Sequence, residues 1–234
     1  ALAAQLEGEA ELPPGRVAAH WMAAERPLQA APHLARAGRV AMAQDQLLDA
    51  GRLLVQAAQW LQAGGAVDAS FDAWFDAAHA YSESNRPEQV RPIADAMDAL
   101  AHGDEQRAAA ACARVYLLCH HGQIEEGLRC AHDALARARS AAAVDLEVEL
   151  LWSIAALHWE RREAAVALDH VGQALARVPA VDTAYAWLPQ GITQTKLQTA
   201  AAIMALALGR TAQAEGHYAA ALQRARARGQ LRHE

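Results

Sequence analysis

The sequence predicts an all-α chain, built as a right-handed α-solenoid of about five antiparallel helix hairpins. Three observations carry this. Bends between helices recur about every 40 residues, at Asp45, Asn85, Gly122, Arg162 and Gly209. Compact side chains keep a fixed phase to those bends. Gly38, Ala78, Val115, Ala155 and Ala202 stand seven residues before them. Ala50, Val90, Gly127, Ala167 and Ala214 stand five after, and Ala57, Met97, Ala134, Ala174 and Ala221 twelve after. Small residues let two helices approach closely, so each hairpin closes around them. Finally, the chain is 53% hydrophobic with only 5% aromatic residues, much of it alanine, and shows no strand-like alternation. Alanine is the best helix former.

The elements follow in order. Ala1 to Gly8 reads as the end of an earlier helix, and Pro13-Pro14-Gly15 breaks the chain. A helix from about Pro14 to Glu25 carries His20-Trp21 and leads into the solenoid, so residues 1–29 are set apart from the repeats of 30–234. Pro27 opens the next helix, and Gln46 to Gln62 follows until Gly64-Gly65 ends it, as glycine commonly does. Ser70–Ser84 and Glu88–Ala101 form the second hairpin, with Pro92 expected to kink the latter unless that helix starts near Arg91. Asp104–His120 with Ile124–Arg139, and Ala143–Glu160 with Ala164–Arg177, are the third and fourth, the fourth ended by Pro179. A longer connection runs from Ala180 to about Gln194. Thr195–Leu208 and Thr211–Arg228 then form the last pair.

Composition excludes several classes. A net charge of −6 disfavours generic nucleic-acid binding. The basic residues are arginines except Lys196, which reads as codon composition of a GC-rich bacterial genome. Arg224, Arg226, Arg228 and Arg232 sit near a helix C-terminus, where positive charge offsets the helix dipole. No apolar run approaches a membrane span, and no secretory signal is visible, so a cytoplasmic place is expected. The chain does not begin with Met, which suits a fragment of a longer protein. Cys112 and Cys119 share one helix face, with Cys130 on the partner helix. Three cysteines without regular spacing read as buried residues in a reducing compartment. No phosphate-binding glycine loop, His-Glu-x2-His or paired-cysteine motif is present. No cofactor, metal or catalytic residue is expected in this chain.

The repeats also resemble a known pattern. Trp74, Ala78 and Tyr81 fall at Trp-x3-small-x2-Tyr ahead of Asn85, and Ala167, Ala174 and Pro179 follow in the fourth pair. This resembles the tetratricopeptide repeat (TPR). The departures are Arg162 in place of a small bend residue, Gly127 in place of an alanine, and a period longer than the usual ~34. The stretch Ala18 to Gly38, through His20, Trp21, Ala31, Pro32, Leu34, Ala37 and Gly38, resembles the lead-in to the helical region of large bacterial signal-transducing ATPases. These include ATPase-containing LuxR-type transcriptional regulators and some class III adenylate cyclases. The resemblance implies a sensor region that binds a small-molecule inducer or a protein partner and acts on an upstream ATPase domain of the full-length protein. The repeats alone suit a stand-alone adaptor holding partner proteins.

The phase of the repeats places a binding surface. The first helix of each hairpin is expected to line a concave groove, with open positions 13, 10, 9, 6 and 3 residues before the bend. Those positions offer Asp72, Phe75, Asp76 and His79 in the second hairpin. They offer Tyr116, with His120 next, in the third, and Glu149, Trp152, Ser153 and Trp159 in the fourth. Lys196, Thr199 and Ile203 follow in the last. An aromatic and acidic surface suits a protein or peptide, basic or aromatic, or a small cationic or polyhydroxylated molecule. The competing reading is that Trp152 and Trp159, seven apart on one stripe, are core.

Overall fold

Most of the helices end in the same backbone device. In the computed structural model, which describes residues 12–180 and 190–227, every expected bend residue has positive φ: Asp45 at 61°, Asn85 at 55°, Gly122 at 70°, Arg162 at 63° and Gly209 at 71°. The hydrogen bonds around them are those of a Schellman motif. At Asp45 its own N–H donates to the Met42 carbonyl at 3.0 Å, and the Gln46 N–H donates to the Ala41 carbonyl at 2.9 Å. The pair recurs at Asn85, Gly122, Arg162 and Gly209. It also recurs between the hairpins, at Glu25, Gly65 and Ala142. The working period is therefore about 20 residues, one helix and one left-handed residue.

The residue after seven of the left-handed positions is itself the next N-cap: Arg26, Gln46, Ala66, Arg86, Gln123, Ala143 and Glu163. None of these makes a side-chain capping bond. The bend alone starts the next helix, so ordinary N-cap chemistry is missing from the sequence.

The chain divides into two compact units, Ala1–His102 and Gly103–Glu234. In the first, α1 (Pro14–Ala23), α2 (Pro27–Ala43), α3 (Leu47–Ala63), α4 (Val67–Glu83) and α5 (Pro87–Leu100) pack in chain order. The expected lead-in segment thus contributes α1 to this unit. Residues 1–11, including the expected earlier helix end, lie outside the described residues. Pro92 stands inside α5, which begins at Pro87 and not near Arg91. Pro32 stands at the same place in α2. Both prolines are five residues beyond a proline at the helix start, in the segments Arg26-Pro27 to Pro32 and Arg86-Pro87 to Pro92. The lost N–H would have reached the second residue of the helix, so the cost falls on the first turn.

In the second unit, α6 (Gly103–His120), α7 (Ile124–Ser140), α8 (Val144–Glu160), α9 (Ala164–Arg177), α10 (Gln190–Ala207) and α11 (Thr211–Ala227) also pack in order, and α6 touches α8. A short 3-10 turn, Val178–Ala180, ends α9 at the expected proline. Most of the expected long connection and the last arginines, Arg228 and Arg232, lie outside the described residues.

The phased positions make the cores. Ala50, Val90, Ala167, Ala57, Met97, Ala174, Ala155 and Ala202 are all 0% exposed, and Gly38 and Gly127 are buried. Leucines and isoleucines fill the space between, among them Leu54, Ile93, Leu150, Leu151, Ile154 and Leu157. Among the described residues no strand occurs, and no helix is long and apolar enough to cross a membrane.

Candidate functional site

The expected surface behaves differently in the two units. In the first, α4 was expected to open Phe75, Asp76 and His79 to a groove, and the structure buries all three, at 2%, 6% and 7% exposure. Asp72 keeps intermediate exposure. Part of the cover comes from α2, which touches α4 directly. From it the Arg39 Nε donates to the Asp76 Oδ2 at 2.6 Å. Burial raises the Asp76 carboxyl from 3.8 to about 6, with Arg39 opposing and Asp72 reinforcing the rise. Trp74, the residue that carried the repeat resemblance, is core, and its indole N–H is buried without a hydrogen-bond partner. Two open clefts of about 460 and 600 Å³ flank the Asp49–Arg52 ion pair of this unit, and neither touches an expected site residue.

In the second unit the expected residues keep access to solvent. Tyr116, Glu149, Trp152, Ser153 and Trp159 are half-buried, and His120 is exposed. Helical spacing sets them on matching stripes. Cys112, Tyr116 and Cys119 run along α6, and Asp145, Glu149, Trp152 and Trp159 run along α8. The Tyr116 ring stacks on His120 with centroids 6.2 Å apart. From α10, the Lys196 Nζ lies 5.2 Å over the Trp152 ring. Three helices thus contribute to one face.

Carboxylates act on the thiols of this face. Burial pushes the Cys112 thiol well above its ordinary value, and Glu149, Cys130 and Asp145 push it further. Burial and Glu160 raise the Cys119 thiol in the same way. Both thiols are held protonated, so neither is an activated nucleophile. None of the three cysteines is in a disulfide and all are half-buried, with Cys130 on α7 as expected.

Two clusters elsewhere in this unit escaped the sequence. Glu147 of α8, its side chain only 8% exposed, accepts a bond from Arg139 Nε of α7 and another from Arg177 Nε of α9, each 2.9 Å. The sequence separations, 8 and 30 residues, follow no helical rule. Three histidines from the same helices also meet. The rings of His158 and His170 stack at 5.5 Å and 7°, and His132 meets His170 edge-on at 6.2 Å. His158 Nδ1 lies 2.6 Å from Glu163 Oε2, brought there by the Arg162 bend. The His170 Nδ1 is buried without a hydrogen-bond partner. Burial lowers the pKa of His170, and the neighbouring His158, His132 and Arg139 lower it further against Asp169. Among the described residues no group of three or more His, Cys, Asp or Glu is placed to hold a metal ion.

This geometry has counterparts among solved structures. The crystal structure of BtubC (BKLC) from P. vanneervenii is similar, with a TM-score of 0.58 at 13% identity, over 94% of this chain and 89% of that one. The fold is TPR-like. A kinesin-light-chain candidate of P. anserina with nearly identical TPR-like repeats gives a TM-score of 0.49 at 14% identity, over 83% of this chain and 94% of that one. No protein-family model matches the chain, and no curated protein matches its sequence.

Proposed function

We propose that this chain is a non-catalytic binding module that takes a protein or peptide segment on the α6–α8–α10 face of its second unit. The observation that supports this is the half-exposure of Tyr116, Trp152 and Trp159, on a face that Glu149 makes acidic. A buried aromatic stripe would be core. A half-exposed one offers large, stiff contact area at low conformational cost, the kind of anchor on which interfaces concentrate their energy. The buried Phe75, Asp76 and His79 are left out of this surface.

In the fuller reading, the module is the sensor region of a larger bacterial transcriptional regulator in the cytoplasm. Inducer or partner binding favours one arrangement of neighbouring hairpins, and the shift is passed to an upstream ATPase domain. That reading rests on the resemblance of Ala18–Gly38. The alternative is a stand-alone adaptor, favoured by a fold shared with other repeat proteins. A thermal-shift screen with small metabolites and short peptide pools separates them. Saturable stabilisation by one metabolite class supports the sensor, and stabilisation by peptides alone supports the adaptor. No response to either, together with unchanged behaviour of Trp152→Ala in partner capture, contradicts the assignment of this face.

A further inference from the structure

We infer that α9 carries an acid-operated latch: the stacked rings of His158 and His170 hold its middle turns against α8, and a proton taken up by His170 lets those turns open while both ends of α9 stay docked. This device is independent of the binding role proposed above. His158 and His170 stack at 5.5 Å and 7°, and His132 of α7 meets His170 edge-on at 6.2 Å. The Nδ1 of His170 is buried without a hydrogen-bond partner. Two imidazoles in such a stack tolerate one charge far better than two. His158 is the ring placed beside a carboxylate, its Nδ1 2.6 Å from the Glu163 Oε2. The closed stack therefore keeps His170 neutral.

Little else holds the middle of α9. Its buried side chains are Ala167, Leu168, Val171 and Ala174. The neighbouring α8 buries Leu146, Leu150, Leu151, Ile154 and Leu157. Gly172 stands in the middle of α9, two residues from His170, where an added Cβ would meet nothing within 4 Å. Packing does not call for glycine there, and glycine weakens a helix interior. The ends of α9 are tied more firmly. At its start Arg161 bridges Glu163 at 3.0 Å and Glu125 of α7 at 3.2 Å. At its end Arg177 donates to Glu147 at 2.9 Å. A segment with few buried apolar contacts is where local opening costs least.

The charges around His170 set the direction. Burial lowers its pKa from 6.5, and His158 of α8 with His132 and Arg139 of α7 lower it further, against Asp169 of α9. Arg139 is itself bonded to Glu147 of α8. In α10, which also packs on α9, the charged residue is Lys196, and it lies over the Trp152 ring. An open α9 therefore takes up the proton at higher pH than a closed one. The closed form is undiminished above 6.5 and loses ground as the pH falls through that value toward the lowered one.

The test is amide hydrogen exchange of the full chain, read by NMR as protection factors at about pH 7.5 and about pH 5, so that the intrinsic exchange rate cancels. Protection of the amides from Leu168 to Ala174 is expected to fall at least about threefold at the lower pH, relative to those of α8. His170→Phe keeps a ring on His158 and loses the titrating nitrogen, and it is expected to remove the fall. His170→Gln, smaller and also uncharged, takes its place if the phenyl ring disturbs folding. Gly172→Ala is expected to raise protection of the same amides about two- to fivefold at both pH values and to keep the fall. A fall shared equally by α8 overturns the inference, because acid then loosens the whole unit, and an absent fall overturns it as well. A fall that persists in the His170 variant does the same. No gain in Gly172→Ala overturns the assignment of the middle of α9 as the part that opens.

Discussion

A Cβ placed on Gly51 would lie 2.6 Å from Cζ of Tyr81, with two more ring carbons inside 3.0 Å. The glycine of α3 and the tyrosine of α4 are therefore one fitted contact between neighbouring helices. Tyr81 is only 7% exposed, so its ring has little room to move aside. Gly51→Ala gains up to about 1 kcal/mol of helix propensity. It loses about 1–3 kcal/mol to overpacking. The expected result is a net loss of about 1–2 kcal/mol in urea unfolding. In Gly51→Ala combined with Tyr81→Ala the overpacking disappears, and the glycine change turns neutral or favourable.

Left-handed bends occupied by ordinary residues carry a backbone cost of about 1–2 kcal/mol each. Ala142, with φ of 56°, is the simplest case, because its side chain offers nothing polar in return. Ala142→Gly is expected to stabilise the protein by about 1 kcal/mol. Ala141→Gly, one residue earlier in right-handed geometry, is expected to be neutral or destabilising. Thermal or urea unfolding of the two variants side by side reads the difference.

Glu147 ties three helices through two arginines. Glu147→Ala leaves Arg139 and Arg177 without their shared acceptor and empties a buried position. The arginines are 52% and 46% exposed and can turn to water, which reduces the loss. The expected cost is about 2–3 kcal/mol, below the full penalty of a dry, broken pair. Arg139→Ala and Arg177→Ala each leave one bond to Glu147 and are expected to cost about half as much. Their double variant is expected to approach the Glu147→Ala loss, because the three residues act as one unit.

Two groups titrate with opposite sign. The pKa of His170 is lowered in the folded state by burial and by His158 stacked on it, with His132 and Arg139 of α7 adding to the effect. The unfolded chain therefore takes up the proton first, at about 6.5. Stability is undiminished above that pH and falls as the pH drops through 6.5 toward the lowered value. His170→Phe, which keeps a ring on His158, is expected to remove this part of the acid sensitivity. Asp76 runs the other way. Its pKa is raised to about 6, so its contribution is present below 3.8 and is lost as the pH rises through about 6. Asp76→Asn, neutral at every pH, is expected to stabilise the protein at pH 7 and to abolish that loss. Urea midpoints between pH 4 and 7.5 check both.

The repeat architecture was legible because close helix packing writes itself into residue size. All five bends read from the sequence have positive φ, and the phased small residues are buried. The intermediate bends were harder. Glu25 and Ala142 carry no glycine or asparagine signal, and the N-cap residues that follow carry no capping chemistry. The recurrence of Arg-Pro with a second proline five residues on, at Pro27 and Pro87, was available and points to the same 20-residue unit. Which of the expected surface residues stay open to solvent was legible only in part. The phase rule knows the face of a helix but not what lies over it, so it treated α4 and α8 alike, and Phe75 is buried where Trp152 is not. The Glu147 clamp and the stacked histidines depend on three helices meeting, which no spacing within one helix encodes.

The most direct test of the binding face is an NMR titration of the full chain with a peptide selected from a displayed library. The indole N–H signals of Trp152 and Trp159 and the amides along their stripe on α8 are expected to shift first and saturate together. Trp74, buried in the first unit, is expected to stay still, and Trp152→Ala is expected to weaken the peptide at least about tenfold. Shifts confined to α4 or to the clefts beside Arg52, with α8 unmoved and affinity intact in Trp152→Ala, would contradict the account.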